Sequence, residues 1–126
     1  MNSLLINLSN HPSSMWSESQ LSAACSQFGE IVNLQFPDVS PDGDETYIDQ
    51  LAEEYFQKVL TLSDGRCKIA VHIMGEMTLT YAIVRKLQAH DIQCVASTTK
   101  RIVHIREDNT KEVKFDFVKF RHYEHR

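Results

Sequence analysis

The sequence predicts an α/β sandwich of three layers, with a mainly parallel sheet between helices and a β-hairpin towards its C-terminal end. Three observations predict it. Short apolar runs alternate with longer amphipathic stretches, the pattern of successive βαβ units. "SLLINL", "EIVNLQF", "CKIAVHIMG" and "IQCVAS" have the length and composition of buried strands. Two further β-rich runs, "RIVHIRED" and "KEVKFDFVKFRHY", flank the turn-forming "EDNTK".

Each element follows in order. "SLLINL" (Ser3 to Leu8) opens the domain as a strand, and "SNHPSSMW" after it is rich in turn formers. "SESQLSAACSQFG" reads as a helix, with Ser17 as its N-cap, Gln20 at the capping-box position and Gly29 as its stop. Leu21, Ala24, Cys25 and Phe28 form its apolar stripe. "EIVNLQF" is the second strand, and the acidic loop "PDVSPDGD" suits the approach to a helix N-terminus. "ETYIDQLAEEYFQKVLTL" is a long helix whose buried face carries Ile48, Leu51, Ala52, Tyr55, Phe56, Val59 and Leu60. "CKIAVHIMG" is the third strand. "EMTLTYAIVRKLQAHD" is the third helix, with Leu79, Ile83, Val84 and Leu87 inward. "IQCVAS" is the fourth strand, "TTKR" the turn after it, and the hairpin closes the order βαβαβαβ plus hairpin. Such an order implies right-handed crossovers with helices on both faces of the sheet.

Composition narrows the function classes. The 126 residues fit one domain, with 42% hydrophobic and 24% charged residues, an ordinary globular balance. A formal net charge of -4 argues against a general coater of long nucleic acid, which needs a broad basic face. The odd set of Cys25, Cys67 and Cys94, with no secretory signal at the start, points to a reducing cytoplasm. No apolar run approaches the ~20 residues that span a bilayer, so no membrane partner is expected. No HExxH, paired CxxC or carboxylate cluster points to a metal, and no cofactor fingerprint such as GxGxxG or GxxxxGK[ST] is present. No GxSxG elbow or Ser–His–Asp order is found either.

In open parallel sheets ligands lie beyond the carboxyl ends of the strands. Three of the loops expected there are rich in groups that hold phosphate, sugar or base. "SNHPSSMW" offers Ser9, Asn10 and His11, with Trp16 for stacking on a base. The same residues also suit a plain turn before Pro12 and a hydrophobic staple. "GEMTLT" places Gly75, Glu76, Thr78 and Thr80 at a helix N-terminus, where free N–H groups favour an anion. Glu76 opposes that charge, so it either holds a ribose hydroxyl or pairs with a cation; an ordinary capped helix is the alternative. "STTKR" sets Lys100 and Arg101 beside Ser97, Thr98 and Thr99, which reads as an anion nest or as a charged turn. His72, inside an apolar strand, reads as a hydrogen-bonded core or rim histidine.

"LINLSNHP", "VHIMGEMTLTYAIVRKL" and "VASTTKR" together resemble the small CRISPR-associated proteins with a CARF-like, Rossmann-like fold, including the stand-alone ring nucleases of type III systems. The resemblance covers nearly the whole chain in layout and these three segments in residues. It implies one nucleotide-binding domain over residues 1–126 whose strand-end loops bind a cyclic oligoadenylate second messenger of antiviral defence. It also implies a homodimer with the ring across the two-fold axis, and either binding alone or cleavage without a metal. In the cleavage case the ribose 2′-hydroxyl attacks the adjacent phosphorus and leaves a 2′,3′-cyclic phosphate. Lys100 or Arg101 would then stabilise charge, Ser9, Asn10, Thr98 and Thr99 would position the phosphate, and His11 would transfer the proton.

Three other classes fit the same residues. One is a non-catalytic sensor or sink for the cyclic nucleotide. Another is a small enzyme acting on a nucleotide or sugar phosphate. The third is a structural partner whose last strand, "VKFDFVKFRHY", pairs edge to edge.

Overall fold

The structure, a computed structural model, describes residues 3–125. Its elements are β1 (Ser3–Ser9), a 3-10 turn (Ser13–Met15), α1 (Glu18–Phe28), β2 (Glu30–Gln35), α2 (Glu45–Leu62), β3 (Lys68–Met74), α3 (Met77–Ala89), β4 (Gln93–Ile105) and β5 (Lys111–His122). The strands form a five-stranded sheet in the order β2-β1-β3-β4-β5. The first four run parallel, and β5 pairs antiparallel with β4. The fold is α/β and Rossmann-like, with a mainly parallel sheet and a C-terminal β-hairpin.

Local signals act as the sequence predicts at the helix ends. Ser17 Oγ accepts the Gln20 N–H at 3.2 Å to start α1. Gly29 ends it at φ 97, a left-handed conformation that side chains rarely adopt, and a Cβ there would also meet the Ser3 carbonyl oxygen at 3.0 Å. Asp44 Oδ1 accepts the Tyr47 N–H at 3.0 Å to start α2.

The helices divide between the faces. α2 and α3 cover one face, where Leu4, Ile6, Leu8, Val71 and Ile73 meet Ala52, Phe56, Val59, Leu79, Ile83 and Leu87 in the larger core. α1 covers the other face, where Leu5, Ala70 and Val95 pack with Trp16, Ala24 and Phe120. Strand residues alternate between the faces, so register decides what each face carries. The α2/α3 face stays apolar along β1 and β3. The α1 face changes character along the strands. It is apolar at Leu5, Ile31, Ala70 and Val95, then polar at Asn7, Asn33 and Ser97, with His72 between them.

One expectation is corrected. "TTKR" is not a turn between two strands: β4 continues from Gln93 through Ile105 as a single strand, and the sheet has five strands rather than six. The reason is the partner. β5 runs beside β4 from Ile105↔Lys111 to Val95↔His122, giving that backbone a ladder. "TTKRIVHI" also contains no Gly or Pro and five β-branched residues, which suit an extended strand. The register slips between Thr98 and Thr99, where β5 carries one extra residue. Beyond its three pairs with β3, β4 leaves the parallel sheet, and the β4–β5 hairpin projects as an arm. The arm turns at Arg106–Thr110, with Asn109 at φ 67.

Among the described residues, no helix is long and apolar enough to cross a membrane.

Candidate functional site

β1 lies between β2 and β3, so the chain leaves β1 towards one side and returns to the other. The β1–α1 loop therefore passes to one face and the β3–α3 loop to the other. This divergence opens a crevice at the carboxyl edge, the place where α/β sheets hold ligands. The cleft there has a volume of about 500 Å³. Ser9, Asn10, His11 and Trp16 line it from the first loop, and Met74 and Gly75 from the end of β3. Ser97 and Thr99 line it from β4, Gln20 from α1, and His72 lies at its floor.

A hydrogen-bonded chain, buried at its middle, crosses the sheet under this cleft. Asn33, Asn7 and His72 are register partners on β2, β1 and β3. Asn7 and His72 are 1% and 2% exposed, so both would cost stability if left unpaired. Neither is. Asn7 Nδ2 donates to Asn33 Oδ1 at 3.0 Å and to the His11 carbonyl at 2.8 Å. Asn7 Oδ1 accepts from Ser9 Oγ at 2.8 Å and lies 2.9 Å from His72 Nδ1. His72 Nε2 meets Ser97 Oγ. Gln20 Nε2 donates to the same oxygen at 3.2 Å.

The direction of this chain follows from its first link. The backbone N–H of Ser13 can only donate, and it reaches Asn33 Oδ1 at 2.9 Å. That oxygen is therefore the acceptor that Asn7 Nδ2 faces, which leaves Asn7 Oδ1 towards the imidazole. A carbonyl oxygen only accepts, so His72 carries its proton on Nδ1 and a lone pair on Nε2. The Ser97 hydroxyl then donates to Nε2. Burial supports the neutral ring, because it pushes the His72 pKa down from 6.5 to about 4. The Trp16 ring packs edge-on against His72, with centroids 5.1 Å apart. The result is a Ser–His–Asn arrangement in which the amide orients the ring without adding charge.

The other sequence-selected residues are placed as follows. The His11 carbonyl is a hub that accepts from Asn7 and from Trp16 Nε1, the latter at 3.2 Å, while its ring is exposed at the cleft. Trp16 is 8% exposed, so its ring belongs mainly to the packing under α1. Gly75 is required by packing: a Cβ there would stand 2.4 Å from the Phe36 ring. Glu76 caps its own helix, accepting from Leu79 N–H at 2.8 Å and Thr78 Oγ1 at 2.6 Å. Those bonds, Thr78 first, hold its carboxyl below the ordinary range. The α3 N-terminus is thus filled by the chain's own carboxylate, and Glu76, Thr78 and Thr80 stand outside the cleft. Thr80 is buried on the α2/α3 side, and its Oγ1 has no hydrogen-bond partner among the described residues.

β4 sorts the rest by alternation. Ser97 and Thr99 face the cleft, and Arg101 continues that face along the arm. Thr98 and Lys100 face the opposite side. Thr98 Oγ1 bonds both the N–H and the carbonyl of Lys119, at 3.2 and 3.1 Å, which ties down the bulge. Among the described residues, no Asp, Glu, Lys or Arg lines the cleft, and Arg101 follows Thr99 on the same face of β4.

Sequence reasoning did not single out Asn7, Asn33 or Gln20 for the site, and it assigned His72 to the core or rim. A signal was present: "INL", "VNL" and "VHI" each carry one polar residue in an apolar strand, at positions that register brings into one row.

Fold and site together define an α/β domain with a polar cleft at its switch point. The chain belongs to the family described as "Uncharacterized protein MJ1673 family", whose model matches residues 3–121. No curated protein and no solved structure matches the chain.

Proposed function

We propose that this chain binds a cyclic oligoadenylate, the second-messenger class of type III CRISPR defence, in the carboxyl-edge cleft. The observation that carries the reading is the Asn33–Asn7–His72–Ser97 hydrogen-bonded chain, buried at Asn7 and His72. Burying Asn7 and His72 is an expensive way to build a core, and the common effect of the chain they form with Asn33 and Ser97 is to fix one hydroxyl at the cleft. Because Ser97 gives its proton to His72, its remaining lone pair faces the cleft as an acceptor. A ribose hydroxyl or the adenine amino group supplies the matching donor. The phosphate lies further along the same face, within the reach of Arg101. The resemblance supports the ligand class, since each of its three segments contributes to the lining of the cleft: Ser9 to His11, His72 with Met74 and Gly75, and Ser97 with Thr99.

A second reading, cleavage, is favoured by the lone pair on His72 Nε2. The 2′-hydroxyl would pass its proton to Ser97 Oγ as Ser97 passes its own to Nε2. The 2′-oxygen bonds phosphorus, the bond to the 5′-oxygen breaks, and that oxygen leaves with a proton from water. A ring held neutral down to about pH 4 is a weak base, so this step is slow and the protein acts first as a sink.

Incubation with labelled cyclic tetra- and hexa-adenylate in the presence of a chelator tests both readings. Binding is expected with either slow or no product. Stabilisation by a mononucleotide, with no response to either ring, would overturn the assignment in favour of a small nucleotide enzyme.

A further inference from the structure

We infer that the apolar pocket on the α3 side of Met74 is a base subsite, which takes one adenine ring of a ligand whose ribose lies at Ser97. The pocket has a volume of about 350 Å³. One face of α3 builds a wall of it, because Met77, Thr80, Tyr81 and Val84 follow one another at helical spacing. Met74 and Gly75, at the end of β3, and Tyr123, after β5, build the rest. Tyr123 is fixed in place, since its hydroxyl donates to the Ile73 carbonyl at 2.7 Å.

Two observations point to a flat ring with a polar edge. The first is the make-up of the walls. Met77 is 82% exposed and Tyr81 64%, although the same helix buries Leu79, Ile83 and Leu87. Large apolar side chains kept at the surface around a concavity mark a binding site. Thioether and phenol groups both make favourable contacts with aromatic rings. Arg85, one turn further along α3, donates to the Tyr81 hydroxyl at 3.3 Å and braces that ring. The second observation is Thr80. It is 8% exposed, and its Oγ1 has no hydrogen-bond partner among the described residues. A valine would give the same shape without the cost of an unpaired buried hydroxyl. A ring nitrogen of a base accepts from that hydroxyl, and an aliphatic chain offers it nothing.

The pocket and the cleft are neighbours. Met74 and Gly75 line both. Met74 Sδ accepts the Ser97 N–H at 3.4 Å, so the two spaces stand one side chain apart. A nucleoside is built the same way, with a polar sugar joined to a flat ring by one bond. With the base on the α3 side, the donor that meets Ser97 Oγ is the ribose hydroxyl and not the amino group. The choice of adenine rests on the ligand reading above, whereas the pocket as a site for a heteroaromatic ring does not.

Methyl NMR of methionine-labelled protein tests it, because Met15 lines the cleft, Met77 the pocket, and Met74 both. Adenosine is expected to move the Met77 and Met74 signals, and ribose 5-phosphate, which lacks the base, to leave Met77 in place. Thr80→Val is expected to raise the urea midpoint yet weaken adenosine binding by about fivefold or more, a combination that a purely structural threonine does not give. Tyr81→Ala, a change at an exposed side chain, is expected to weaken binding to a similar degree. No movement of Met77 with millimolar adenosine, or unchanged affinity in either variant, would overturn the inference. The cyclic oligoadenylates separate it from the ligand reading. A ring that moves Met15 but not Met77 would keep the cleft reading and remove the base subsite. Adenosine at Met77 with no response to either ring would remove the cyclic oligoadenylate and keep the subsite.

Discussion

His72 Nδ1 lies 2.9 Å from Asn7 Oδ1, and a backbone N–H two links away settles which end of the amide it faces. The pair is register-matched on adjacent strands, so neither side chain can turn away without losing its other bonds. Asn7→Leu removes the acceptor of the buried imidazole N–H and the donor that serves Asn33 Oδ1 and the His11 carbonyl, while the Ser9 hydroxyl keeps the His11 carbonyl at 3.1 Å. It is expected to destabilise the fold by about 3 kcal/mol, read from the urea midpoint. A loss within a few tenths would show that the row is not energetically coupled.

The depressed His72 pKa makes stability depend on pH in a definite direction. Folded His72 stays neutral to about pH 4, while the unfolded chain protonates near 6.5. Between these values the unfolded state binds more protons, so stability falls as pH falls through that window. The contribution is complete above pH 6.5 and is lost by pH 4, amounting to about 3 kcal/mol. Urea midpoints measured from pH 7 to pH 4 are expected to drop for wild type and to drop less for His72→Gln. Parallel curves for the two proteins would remove His72 as the cause.

How much of this was legible in the sequence differs between scaffold and site. α2 was readable to the residue, because its apolar stripe has the helical period and the acidic loop before it suits a helix N-terminus; the structure adds Asp44 as the cap. Ser17 and Gly29 bounded α1 for the same local reasons. β4 was misread because "STTKR" looks like a turn by composition, and only the distant β5 makes it a strand. Site residues divide similarly. Ser9, Asn10 and Ser97 could be chosen from their place after a strand. The Asn33–Asn7–His72 row required register, which no single strand encodes. Gln20 looked like half of a capping box, yet its side chain reaches Ser97, 77 residues away in the chain.

The two cations of β4 are predicted to behave differently. Arg101 continues the face of Ser97 and Thr99, and Lys100 lies on the other face beside Asp116. Arg101→Ala is expected to weaken ligand binding by about tenfold and to reduce its salt dependence. Lys100→Ala should leave both nearly unchanged. Titration calorimetry at two salt concentrations separates them, and equal effects would contradict the alternation.

Thr80 offers a change in the opposite sense. Its hydroxyl is buried on α3 with no hydrogen-bond partner among the described residues. Thr80→Val keeps the shape and removes the unpaired group, so the protein is expected to gain about 1 kcal/mol. A lower urea midpoint for the variant would show that the hydroxyl has a partner in solution.

The chain has one tryptophan, and Trp16 sits at the cleft with its ring against His72. Its fluorescence therefore reports on the site without a label. Titration of cyclic tetra- and hexa-adenylate into wild type and Ser97→Ala is the most direct test of the central claim. A saturable change is expected for wild type with at least one ring. Ser97→Ala, folded to within about 1 kcal/mol of wild type, is expected to bind at least about tenfold more weakly. No response from wild type to either ring, or equal affinity in Ser97→Ala, would contradict the account.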